Sequence, residues 1–445
     1  MLLRRERVRG MVVFCVLLLL SFFSAPALAA EADVARLIKL LQEKNIVTSQ
    51  EAESLLKEVT VTAKEEKEAI KAEVKEELAK AGQKGDFLPS ALKGFKLGTT
   101  VWAGWQSVDR HWTNNSGNTS SNKFYLERAY LTLSKEINDW LGATVVTDVY
   151  RPTYSSTGIS GGDWTIRLKN AYVRLNLFDT TTNMGMIPTF SDTYDSAIWP
   201  YRVQGKHLLD EMDVQSSADV GISNQGVIGG YMDADYLKFS SKPIAGKWGG
   251  WMVGAFNGVG YSTDEGNGNK AVSGLVYFRP APMVPILKGL QFAYTGTYGK
   301  TNNKFTNTAY GRTTDYPDWH VNVVQASLQH EYFTVLGQYY WGKGTRSSAE
   351  ELHRRGHLVA GFMRIPSLEK MRVFAKYYYI DPDSSNDIIG ARRPSQYKTY
   401  VAGLSYDVTR EFMPFVAFER RDYDKELASG TSDYNKYQVG FQFRF

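Results

Sequence analysis

From Phe95 to Phe445 the chain alternates apolar and polar side chains with a period of two, and the connections between the alternating stretches are of two unequal kinds. A period of two places successive side chains on opposite faces of an extended strand, so one face of each stretch is greasy and the other polar. The pattern predicts strands at Phe95–Gln106, Phe124–Lys135, Trp140–Tyr150, Trp164–Phe178, Met184–Thr189 and Tyr236–Ser241. It continues through Gly249–Asn257, Val272–Arg279, Leu290–Gly299, His320–Gln329 and Phe333–Trp341. The last five are His357–Ile365, Arg372–Ile380, Tyr397–Val408, Phe412–Arg420 and Tyr434–Phe445. These make about sixteen strands, each near the roughly nine to eleven residues of a tilted membrane strand. For the sixth place "ADVGISNQGVIGG" competes with Tyr236–Ser241.

Short links such as "INDW", "DTTT", "HEY", "PSLEK" and "DVTRE" alternate with long polar ones such as "SVDRHWTNNSGNTSSN" and "DPDSSNDIIGARRPS". Short turns at one end and long loops at the other describe an up-and-down meander. Closed on itself, with an even strand number, such a meander is a transmembrane antiparallel β-barrel of an outer membrane. A soluble sandwich has no reason to keep that asymmetry along the whole chain. The final stretch, "YQVGFQFRF", fits: Val439, Phe441, Phe443 and Phe445 share one face, while Gln438, Gln442 and Arg444 share the other. We read it as the barrel-closing terminal signal, offered to lipid on one side and to the barrel-assembly machinery during insertion.

Ahead of the alternating region the pattern differs. Arg4, Arg5, Arg7 and Arg9 precede the apolar run from Met11 to Phe23, and Ala27-Leu28-Ala29 follows. These read as a signal peptide over residues 1–29. The only cysteine, Cys15, lies inside it, so the exported chain is expected to hold no disulfide. Residues 30–84 form a helical segment, expected in the periplasm, with Val34, Leu37, Ile38 and Leu41 at helical spacing. Thr48 with Glu51 makes a capping box, and Ile70, Val74 and Leu78 follow four apart in a Lys/Glu-rich run. That run admits either a coiled coil or a solvated helix. Residues 85–94 read as a linker. The stated net charge is +5, and removing the signal leaves about +2, too little to imply a nucleic-acid partner.

Several stretches resemble the phosphate-selective porins of the O and P type. "LLQEKNIVTSQEAESLL" is similar to their periplasmic helical preface, and "FYLERAYLTLSKEINDWLGATVVTDVY" to their second and third strands. "NAYVRLNLF" with "NMGMIPTFSDTY" resembles the strand pair that enters their constriction loop; "SADVGISNQG" and "WMVGAFNGVG" resemble two further segments. The resemblance implies a homotrimeric outer-membrane porin, with residues 190–219 bending into the barrel as the constriction loop.

Phase then selects the lumen. Ala129, Leu131 and Leu133 are the lipid set of their strand, which turns Arg128, Tyr130 and Thr132 inward. The same logic puts Asp148 inside, along with Asn170, Tyr172, Arg174 and Asn176, and also Arg372 and Lys376, because a charge on the lipid face costs about 2–4 kcal/mol at mid-membrane. Such residues either meet the solute or brace the wall in pairs, Arg128 with Asp148 being one candidate pair. The loop carries Arg202 and Lys206 against Asp192, Asp195, Asp210, Glu211 and Asp213, with Ile198, Trp199, Leu208 and Leu209 as apolar anchors. An oxyanion filter needs converging cations. This loop is net acidic, so the expectation is passive diffusion of small hydrophilic solutes and ions with a mild anion, phosphate-like preference.

Other classes fit less well. The six histidines are scattered, "HRRGH" at His353 and His357 carries two repelling arginines, and no H-E-x-x-H or Walker A run is present. The expectation is no enzyme, no cofactor and no metal. The alternative is a barrel sheath in a larger assembly, such as a porin–cytochrome conduit, although the chain has no C-x-x-C-H haem site of its own.

Overall fold

The computed structural model describes residues 94–111, 118–150, 164–307, 312–314, 316–346, 351–385, 395–424 and 432–445. The expected signal peptide, helical segment and all but the last residue of the linker lie outside the described residues.

Sixteen antiparallel strands close into a barrel. The first nine strands are β1 (Phe95–His111), β2 (Thr119–Glu136), β3 (Leu141–Tyr150), β4 (Thr165–Leu177), β5 (Thr180–Pro188), β6 (Ala218–Ile228), β7 (Gly249–Phe256), β8 (Ala271–Phe278) and β9 (Leu290–Lys300). A small separate hairpin, β10 (Phe305–Asn307) with β11 (Arg312–Thr314), decorates one loop. The wall resumes with β12 (Asp318–Gln329), β13 (Phe333–Lys343), β14 (His353–Ile365), β15 (Leu368–Asp381), β16 (Tyr397–Tyr406), β17 (Phe412–Tyr423) and β18 (Asp433–Arg444). Each wall strand pairs with the next in sequence, and β18 returns to β1 from Thr100↔Arg444 to His111↔Asp433. Closure leaves no sheet edge, as hydrocarbon requires.

Alternation sorts the two faces as expected. Leu131, Leu133, Val173, Leu177 and Val439 stand exposed on the outside, while Thr144, Asp148, Asn170, Gln438 and Gln442 are buried inside. At the closing seam the Phe445 N–H donates to Thr99 O, and the Thr99 N–H donates to Phe445 O. Gly104 permits the close approach there: a Cβ on it would lie 2.3 Å from the Val439 carbonyl oxygen.

One expected strand is displaced. Tyr236–Ser241 is not a strand; the sixth strand is β6, the competing stretch. Asp233 Oδ1 accepts the Tyr236 N–H at 2.7 Å and starts a 3₁₀ turn at Tyr236–Lys238. A second turn follows at Lys242–Ile244, where Pro243 has no N–H to give a ladder. β6 instead alternates cleanly, exposing Val220 and Ile222 and burying Asp219 and Ser223. The connection from β6 to β7 is therefore long, although it lies at the end of the barrel where most turns are short.

Besides an irregularity at Arg364/Ile365 next to the β14–β15 turn, two one-residue bulges shift the phase. Between β1 and β2 the register slips at Trp102/Ala103, leaving Glu127 unpaired between Leu126 and Arg128. Between β3 and β4 it slips at Val146/Thr147, leaving Lys169 unpaired between Leu168 and Asn170.

Candidate functional site

The connection from β5 to β6 turns inward and carries α1 (Phe190–Ile198) and α2 (Leu208–Glu211). Its four expected anchors, Ile198, Trp199, Leu208 and Leu209, are buried, together with Tyr194, Tyr201, Val203, Met212 and Val214. Tyr201 stacks on Phe374 of β15 with centroids 4.1 Å apart, and Trp199 packs on Phe362 and Phe374. Each buried apolar side chain stabilises by about 1.5–3 kcal/mol, which fixes the loop as part of the fold.

Polar contacts hold it to the wall. Arg421 of β17 donates to Glu211 Oε1 (2.5 Å), to the Tyr378 hydroxyl (2.7 Å) and to Thr399 Oγ1 (3.1 Å). Gln204 donates to Glu419 (2.7 Å), Trp319 donates through its indole N–H to Val214 O (2.9 Å), and Arg346 pairs with Asp213 (3.0 Å). Arg202 pairs with Asp210 within the loop. Asp195 accepts from Gln338 Nε2 at 2.7 Å; burial, with the charge of Asp192 next, pushes its carboxyl up to about 8. Burial likewise holds His207 well below its ordinary value, with Ser196 Oγ 3.1 Å from its Nε2. Of the five loop acids expected to oppose an anion, Asp210, Glu211 and Asp213 are thus matched by arginines.

The loop fills one side of the lumen. The inward side chains of β8, β9 and β12 are buried, including Ser273, Leu275, Gln291, Thr295, Val321 and Gln325, as are most of those on β13, β15, β16 and β17. Along β2, β4 and β5 the inward Arg128, Tyr130, Thr132, Ser134, Lys169, Tyr172, Arg174 and Asn183 keep partial exposure. This stretch is the less closely packed side of the lumen, although Thr144, Asp148, Asn170 and Ile187 within it are buried.

The predicted wall residues divide accordingly. Arg174 pairs with Glu136, and Arg372 pairs with Asp407 beside a vestibule of about 990 Å³ at the short-turn end. Lys376 faces inward but lies under the loop, its Nζ donating to Lys206 O at 3.3 Å. Lys206 itself is exposed. Asp148 is bonded by Arg167 (2.8 Å), not by Arg128. Arg167 also lies over the Tyr150 ring, 3.9 Å from its centroid.

Arg128 and Lys169 have no ion-pair partner among the described residues. Lys169 Nζ donates to the Tyr130 hydroxyl at 3.3 Å, and Asp192 of α1 lies within its electrostatic reach. Simple alternation from Asn170 would have sent Arg167 and Lys169 into lipid; the bulge turns both inward. The signal was present in "TIRLKN", where two cations interleave with outward Ile166 and Leu168 and directly precede an inward Asn170.

No family model matches the chain, and no curated protein matches it. Solved structures do. An anion-selective porin from Comamonas acidovorans is 12% identical with a TM-score of 0.51, over 79% of this chain and 99% of that one. The outer membrane channel DcaP of Acinetobacter baumannii is 12% identical with a TM-score of 0.51, over 81% and 99%. OprB of Pseudomonas putida is 10% identical with a TM-score of 0.50, over 80% and 96%. The fold is that of these outer-membrane channels.

Proposed function

We propose that this chain is an outer-membrane porin that lets small hydrophilic solutes and ions diffuse passively along the β2–β5 wall, with a mild preference for anions. The observation that carries the reading is the partly exposed inward strip holding Arg128 and Lys169, two cations without ion-pair partners among the described residues, in a lumen otherwise closed by its own loop. Cations spread along a narrow passage raise the local anion concentration without a tight site. A phosphate-specific filter of the O and P type needs several converging cations, and here most are already paired. The resemblance to that family, the barrel and the belt of outward aromatics, including Tyr339, Trp341, Tyr400 and Phe445, support the outer membrane as the location. A homotrimer, a cleaved leader, a periplasmic helical segment and insertion through the terminal strand belong to the same reading. A sheath around a protein partner is disfavoured, because residues 189–217 occupy the space such a partner needs. The test is reconstitution in a planar bilayer: stepwise conductance and a reversal potential of anion sign are expected, and a silent or strongly cation-selective barrel refutes the proposal.

A further inference from the structure

We infer that residues 229–248, at the periplasmic mouth, are an inner prop that positions the constriction loop, and that Arg279 is the residue that sets the prop. The inference rests on the porin reading for its consequence and on packing for its existence.

A barrel with short turns at one end has no need of a long connection there, yet β6 and β7 are joined by twenty residues, 229–248. The segment is a folded body. Tyr236, Ile244 and Ala245 are fully buried, and Tyr231 bridges Gly246. At its centre stands Arg279, also fully buried and without an ion-pair partner among the described residues. Its Nε donates to Gly246 O (3.1 Å), its Nη2 to Ile244 O (3.1 Å), and its Nη1 to Lys288 O (2.6 Å) and the Tyr236 hydroxyl (2.9 Å). The guanidinium also lies 4.6 Å from the Tyr236 ring centroid. A buried guanidinium is costly unless its donors are met. Here carbonyls meet them, so removing the charge frees the segment it gathers.

The prop touches the constriction loop directly. The turn at Lys242–Ile244 packs against α1. Gln329 of β12 joins the two: its Oε1 accepts from the Tyr236 hydroxyl and Ser240 Oγ (3.4 Å each), while its Nε2 donates to Ala197 O of α1 at 3.2 Å. One residue pair higher, Tyr194 of α1 donates to Gln291 at 3.1 Å. A continuous path therefore runs from Arg279 through Tyr236 and Gln329 into the loop that borders the passage. Without the prop α1 loses its floor, and the bank of the channel fluctuates.

The experiment uses Ser327→Cys, an isosteric probe on the inward face of β12 beside this junction, in full-length protein whose only native cysteine is Cys15. Ser134→Cys, on the open wall, serves as the accessible control. The reagent is a charged methanethiosulfonate, with barrel integrity checked by heat-shifted electrophoretic mobility. Labelling of the Ser327→Cys thiol is expected to be slow, and to accelerate at least about tenfold when Arg279→Met or Gln329→Leu is added, as loss of charge-assisted or bridging hydrogen bonds shifts a local opening. Gln329→Leu leaves Arg279 intact and covers the case in which Arg279→Met does not fold. In a planar bilayer both variants are expected to show greater open-channel noise. Unchanged labelling in a folded variant overturns the prop. Faster labelling in a barrel that carries no current supports the prop and refutes the porin reading instead.

Discussion

Replacing Lys169 by Gln separates a cation that acts on passing ions from one that braces the wall. At ~7 Å, bulk permittivity and screening at ~0.1 M salt, one unit charge is worth about 0.3 kcal/mol to a monovalent ion. The sign reverses between anion and cation, so the permeability ratio moves by about 0.6 kcal/mol, or roughly threefold. Low-dielectric walls push that upward, and adding Arg128→Gln squares it to roughly ninefold, the two sites being treated as independent. Arg174 gives the control. Its charge is matched by Glu136, so removing it alone uncovers an acid and shifts selectivity for the wrong reason, whereas Glu136→Gln with Arg174→Gln together should leave the ratio nearly unchanged. The assay is the reversal potential in a KCl gradient for the wild type, Lys169→Gln, Arg128→Gln/Lys169→Gln and the pair-removed variant. If the pair-removed variant loses anion preference while Lys169→Gln keeps it, the assignment of the free cations is wrong.

The loop should respond to pH in two windows. Opening solvates Asp195, whose folded pKa is raised, so opening releases a proton and grows with pH from about 4 to about 8; His207, lowered by burial, takes up a proton on opening below its ordinary value near 6.5. The two nearly cancel in mildly acid solution, so the opening of 190–214, read as amide exchange divided by its intrinsic base-catalysed rate, should rise mainly between about pH 6.5 and 8, and Asp195→Asn should flatten that rise. Arg421→Met leaves Glu211 unpaired and Tyr378 and Thr399 without their donor; a loss of about 3–5 kcal/mol is expected, read as a lower midpoint for the loss of heat-shifted mobility. Gly104→Ala drives a Cβ against the Val439 carbonyl and should impair closure between β1 and β18, seen as accumulation of the unshifted, unfolded band; a normal barrel yield would contradict the geometry.

Most of the wall was readable because period-two alternation and charge cost act locally. The terminal strand and the inward setting of Arg128, Asp148, Arg174, Arg372 and Lys376 needed no more than that. Three things were hidden for different reasons. Tyr236–Ser241 carries strand-like residues but sits where Asp233 and Pro243 enforce turns, and only the pairing of β5 with β6 decides the matter. Lys169 and Arg167 lay on the wrong side of a one-residue bulge, which reverses every side chain beyond it. The partners of Asp148, Arg372 and Lys376 come from another strand, from the turn between β16 and β17 and from the loop, so which cations remain unpaired is a property of the closed barrel.

The proposed off-centre passage divides the molecule's susceptibility to change. Where the loop is seated, an inward residue answers to close packing, and a lost methylene there is felt as a cavity, much as in a water-soluble enzyme. On the proposed reading, the inward residues along β2, β4 and β5 answer to ions and water, and tolerate exchange of size far better than exchange of charge. A new cargo preference can therefore be written into one quarter of the circumference without disturbing the rest. A redesign that treats the barrel as a uniform tube will spend most of its substitutions where they can only unseat the loop.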